Sequence, residues 1–66
     1  MRVVINGKVH DIEAGTTVAS LLRDLDAARQ RVAVEVNREL VTRREYDETA
    51  LAEDDTIEIV TLVGGG

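Results

Sequence analysis

Cysteine is missing from these 66 residues, and with it disulfides, thiolate metal sites and thiol nucleophiles. Phenylalanine and tryptophan are absent too, leaving Tyr46 as the sole aromatic ring. Acidic residues number 13 against 8 basic ones, a formal charge of −5. Nucleic acid is bound through basic surface and base stacking, so neither composition nor charge points to it. The acidic balance keeps a small protein soluble and is compatible with docking onto a basic protein surface. No apolar run approaches a membrane span, and none follows a basic start as in a signal peptide. The expected location is cytoplasmic, with no membrane partner. His10 is the single histidine and has no serine, cysteine or carboxylate at triad-like spacing, so it reads as structural.

What remains is aliphatic. The hydrophobic share of 44% comes almost wholly from Val, Leu, Ile and Ala, enough for one core in one domain. A chain of this size buries only about 60% of the surface its unfolded form exposes. Val3, Val4 and Ile5 form a β-rich run ended by Asn6-Gly7, a strong signal for a two-residue hairpin turn. A second strand returns antiparallel through Lys8 to Glu13, with Ile12 inward and a bulge or early twist near the turn. Ala14 to Thr17 breaks it, and Thr16 or Thr17 caps a helix. Val18, Leu21, Leu22 and Leu25 then fall at i, i+3, i+4 and i+7, one face of a helix expected to run to about Ala28.

Val32 to Val36 alternates, with Val34 and Val36 inward and Glu35 outward. Asn37-Arg38-Glu39 turns tightly into a short strand at Leu40 and Val41. Thr42 to Glu48 is charged and holds Tyr46 at the core's edge in a single helical turn. Leu51 is an isolated anchor, and Glu53-Asp54-Asp55 is an acidic turn without the spaced ligands and glycine of a calcium loop. Ile57, Ile59 and Thr61 alternate against Glu58, Val60 and Leu62 in the last strand. A hairpin, a helix and further strands imply an α+β fold, one helix across one face of a mixed sheet. The other sheet face meets water or a partner. With Ile57 and Ile59 inward, Val60 and Leu62 face outward near Glu35 and Glu58, a candidate docking patch.

The chain closes on Gly64, Gly65 and Gly66 directly after that strand. At average usage three such glycines arise by chance about three times in ten thousand. A frayed end is the plain alternative. Without Cβ atoms the segment threads where side chains cannot pass, which makes residues 64–66 a flexible tail on a body spanning 1–63.

These pieces in this order resemble the ubiquitin-like β-grasp sulfur carriers of bacteria, above all the thiamine-biosynthesis carriers (ThiS). The resemblance rests on Ile5-Asn6-Gly7, Glu13 to Val18, Leu21-Leu22, Val34 to Val41, Arg43, Ile57-Glu58-Ile59 and Gly65-Gly66, and it covers the whole chain. Thr42 stands where such carriers often have Pro, Asp54 where many have Gly in the turn, and Gly64 extends the usual glycine pair.

The resemblance implies that the chain is a co-substrate and not an enzyme. The Gly66 carboxylate would be joined to AMP and attacked by persulfide or sulfide, leaving a thiocarboxylate that gives sulfur to the thiamine thiazole. Gly64 and Gly65 would thread into the activating enzyme. Implied partners are a ThiF-like adenylyltransferase, thiazole synthase (ThiG) and a sulfur source such as a cysteine desulfurase. No cofactor is expected to stay bound, since ATP and Mg2+ would belong to the adenylating partner. The alternatives are a carrier for molybdopterin, like the MoaD proteins, a protein modifier joined to lysine, and a non-covalent ubiquitin-like binding module with an inert tail.

Overall fold

The computed structural model describes residues 1–27 and 31–62. The expectations placed on Ala28, on Val63 and on the tail of Gly64, Gly65 and Gly66 lie outside the described residues.

The first hairpin forms where Asn-Gly puts it. Strands β1 (Arg2–Ile5) and β2 (Lys8–Asp11) pair antiparallel, Ile5 opposite Lys8 and Arg2 opposite Asp11. Between them Asn6 and Gly7 have φ of 49° and 82°, the two left-handed residues that a tight hairpin turn requires. Pairing is one-to-one along the ladder, so of the expected bulge or early twist the bulge is absent. Simple alternation suffices: Ile12, just past β2, packs against the core, and Val9 on the opposite side is 64% exposed.

Helix α1 (Val18–Asp24) is capped by Thr17. The Thr17 hydroxyl accepts the Ser20 N–H at 3.1 Å, and the Ser20 hydroxyl accepts the Thr17 N–H at 2.9 Å. The N–H groups of Val18 and Ala19 donate to the carbonyls of Thr49 and Tyr46, at 2.9 and 3.0 Å. Every donor of the first turn is thereby occupied, and the loop before the last strand is pinned to the helix start.

The helix stops short of the expected Ala28. Asp26 takes φ of 58°, its N–H donates to the Arg23 carbonyl, and the Ala27 N–H donates to the Leu22 carbonyl at 2.7 Å. This bond pair closes a helix on a left-handed residue, here an aspartate in place of the usual glycine. In consequence Leu25 is 41% exposed, while Val18, Leu21 and Leu22 are buried.

A second hairpin joins β3 (Val32–Val36) to β4 (Glu39–Val41), with Val36 opposite Glu39. Its turn is Asn37-Arg38 alone, φ 53° and 70°, and Glu39 already belongs to β4. A 3₁₀ turn (Arg43–Glu45) then leads to half-buried Tyr46. Leu51 is buried as its isolated apolar position suggests. The last strand, β5 (Thr56–Thr61), lies between β1 and β3 in a sheet ordered β2-β1-β5-β3-β4. It runs parallel to β1 and antiparallel to β3. Val3, Ile5, Val34 and Ile57 from the sheet meet Val18, Leu21 and Leu22 from the helix in a wholly aliphatic core. Each such side chain contributes about 1.5–3 kcal/mol through burial. The helix covers one sheet face, as the α+β reading requires. Among the described residues no helix is long and apolar enough to cross a membrane.

Candidate functional site

The central strand is also the one that leads to the glycines. Alternation along β5 sends Ile57 and Ile59 to the core, Ile57 fully buried, and leaves Val60 57% exposed. Leu62, one residue past the strand, is 49% exposed, and its N–H donates to the Arg31 carbonyl at 2.8 Å. Hydrogen bonding to the β3 side therefore continues beyond Thr61, and the backbone is held up to the last described residue.

Two asparagines fix β5 from either side. Asn6, in the first turn, accepts the Ile59 N–H at 2.8 Å and donates to the Ile59 carbonyl at 3.1 Å. Asn37, in the second turn, accepts the Thr56 N–H at 2.9 Å and donates to the Asp55 carboxylate at 2.9 Å. Asparagine tolerates left-handed backbone and its amide imitates a peptide group, so each residue both makes its turn and extends a ladder.

On the outer sheet face Glu35 stands directly opposite Glu58, and Val60 directly opposite Ala33. Like charges facing each other across strands oppose folding. Both glutamates are exposed, and neither has an ion pair among the described residues. Leu40 on β4, directly opposite Glu35, is 66% exposed, and the sequence does not single it out. Its exposure was detectable only as an apolar residue at the outward position of a short edge strand. The sheet thus brings Glu35, Glu58 and Val60 onto one face at adjacent positions.

Leu62 has a second neighbourhood. With Leu22, Val32, Leu40 and Tyr46 it lines an open cleft of about 590 Å³ between α1 and the end of the β3–β4 hairpin. The acidic turn before β5 offers no comparable site. Its Asp55 carboxylate accepts from the Ala52 N–H at 2.7 Å and from Asn37, and Glu53 accepts from the Arg2 N–H at 3.2 Å. Among the described residues no three His, Cys, Asp or Glu side chains converge as a metal site.

Known proteins share this architecture. The ThiS family model matches residues 3–66. A thiazole synthase of Magnetococcus marinus is 47% identical over 66 residues, 100% of this chain and 20% of that protein. The chain thus spans about a fifth of that relative's length. The sulfur carrier protein ThiS of Bacillus subtilis is 38% identical over 63 residues, 94% of this chain and 96% of that one. The crystal structure of the thiamine biosynthesis protein ThiS from Geobacter metallireducens matches with a TM-score of 0.86 and 32% identity over 100% of both chains. A mixed five-stranded sheet under one helix, its central strand followed in sequence by Gly64-Gly65-Gly66, is therefore a ubiquitin-like β-grasp, and the chain belongs to the ThiS family.

Proposed function

We propose that this chain is a sulfur carrier for thiamine biosynthesis, with Gly66 as the atom-bearing end. The observation that carries the reading is the family match through residue 66, on a fold in which those glycines follow the central strand in sequence. A carboxylate is a poor electrophile, because its charge repels nucleophiles and oxide is a poor leaving group. Attack of the Gly66 carboxylate on the α-phosphorus of ATP forms the acyl adenylate and releases pyrophosphate. Hydrosulfide then adds to the acyl carbon and AMP departs, leaving a thiocarboxylate and a proton. ATP and Mg2+ are held by the adenylating partner, so this protein contributes the substrate and no catalytic group. Side chains at Gly64 or Gly65 would obstruct a narrow channel leading to ATP.

The receiving enzyme in this reading is a thiazole synthase. Support comes from the relative of that name, in which a stretch 47% identical to this chain makes up 20% of the length. A ThiF-like adenylyltransferase supplies the activation, and a cysteine desulfurase supplies a persulfide from which a reducing thiol, itself oxidised to a disulfide, releases the hydrosulfide. Val60, Leu62, Glu58 and Glu35 form the docking face that brings Gly66 to the partner.

Intact mass spectrometry tests the proposal. After incubation with the adenylating enzyme, ATP and a sulfur source, one oxygen-to-sulfur exchange is expected at Gly66, lost on deleting Gly65-Gly66. Absence of any mass gain with a competent enzyme would leave a non-covalent binding module instead.

A further inference from the structure

The cleft beside Leu62 has a composition unlike the rest of the surface. Its floor is apolar, built on buried Leu22 and half-buried Val32 and Tyr46. Leu40 and Leu62 form its lips, both largely exposed and neither packed against the core. Around this apolar surface stand Arg23, Arg31 and Arg43, with Asp47 as the one acidic side chain in the lining. Three of the chain's 8 basic residues thus meet one of its 13 acidic residues. None of the three arginines has an ion pair among the described residues. In a protein of net charge −5 this is a local cationic pole. Guanidinium groups are weakly hydrated, planar forks that match carboxylates in pairs.

We infer that this cleft docks an acidic segment of a partner protein, seating an apolar side chain between carboxylates that the three arginines receive. Its volume, about 590 Å³, suits one or two large side chains of a peptide. Charge complementarity chooses the occupant, because the apolar floor requires an apolar anchor and the rim requires anions around it. Glu35, opposite Leu40, and Glu58 carry the opposite sign on the outer sheet face that adjoins the cleft, so the charge changes sign across the Leu40 lip. The Arg31 carbonyl, accepting the Leu62 N–H, ties the cleft to the end of β5. The inference needs no sulfur chemistry and stands apart from the proposed function.

The test is an ¹⁵N NMR titration with the capped peptide acetyl-Glu-Asp-Leu-Phe-Asp-Glu-amide, alongside a control carrying lysine for each acid. Saturable shifts are expected at Ala19, Leu22, Arg23, Val32 and Tyr46, weaker at high salt and absent with the lysine peptide. Arg31→Glu plus Arg43→Glu should weaken binding roughly tenfold or more. The milder Arg31→Gln plus Arg43→Gln pair should weaken it in the same direction, and unshifted resonances of β1 and β2 report that each variant is folded. Three results overturn the inference: no saturable shift at millimolar peptide, equal response to the lysine peptide, or shifts centred on Glu58 and Val60. Concentration-dependent shifts at the cleft without peptide would overturn it too, by making a second copy the occupant.

Discussion

The side-chain amide of Asn6 bonds both the N–H and the carbonyl of Ile59, a residue 53 positions away, at 2.8 and 3.1 Å. One residue thereby sets the turn of the first hairpin and holds the strand that leads to the glycines. Asn6→Ala should lose both bonds and meet strain at a φ of 49°, costing about 1–2 kcal/mol. Asn6→Gly relieves the backbone and still lacks the bonds, so it should fall between the two. Urea denaturation of the three proteins orders them, and equal midpoints for all would show that the Ile59 contact contributes nothing.

Leu22 and Leu25 lie on the same helical stripe in the sequence but have different fates. Leu22 is 3% exposed and Leu25 41%. Leu22→Ala should destabilise by about 2–4 kcal/mol, a large part of what holds a domain this small. Leu25→Ala should change stability by less than about 1 kcal/mol, since Leu25 is far more exposed than Leu22 and lies outside the buried core. Thermal unfolding measures both, and a large loss at Leu25 would mean that the helix continues past Asp24 in solution.

Val60 and Leu62 test the docking face. Val60→Asp together with Leu62→Asp should raise the KM for this chain in the adenylation assay roughly tenfold or more, with little change in kcat. Circular dichroism should remain that of the parent, because both side chains are exposed. Unchanged activation kinetics would remove these two residues from the interface.

Glu45 links the turn before Tyr46 to pH. Its carboxylate accepts from the Thr42 hydroxyl at 2.7 Å and from the Thr42 N–H at 3.0 Å, and these bonds hold its pKa below the ordinary 4.5. A depressed carboxylate contributes stability above its unfolded-state pKa and loses it as pH falls through the folded value. The 3₁₀ turn should therefore loosen in acid, first visible in the Thr42 and Glu45 amide resonances. Thr42→Val keeps a similar shape but removes the hydroxyl, and should move the Glu45 midpoint upward in an NMR titration. A midpoint unmoved by that change would show that the hydroxyl bond does not shift the carboxyl.

Several of these relationships were legible before any coordinates. Asn6-Gly7 announced a hairpin because few residue pairs accept left-handed backbone twice in succession. Thr17 with Val18, Leu21 and Leu22 announced a capped helix because its apolar spacing repeats every turn. The end of that helix was not legible, since Asp26 occupies a left-handed site where glycine is the usual marker. Leu40 and the arginines of the cleft were hidden for another reason. Arg23, Arg31 and Arg43 are far apart in the chain and become neighbours only when α1 is laid across the sheet.

Local chemistry, then, settled the elements: turn residues, capping groups and apolar alternation act over a few residues and can be read in order. Even the inward side of Ile57 and Ile59 follows from alternation alone. The insertion of β5 between β1 and β3 belongs to tertiary structure. So do the facing of Glu35 with Glu58, the grip of Asn6 on Ile59 and the cationic cleft beside Leu62. Each requires a register between distant segments, and burial of the shared aliphatic core selects that register for all of them together.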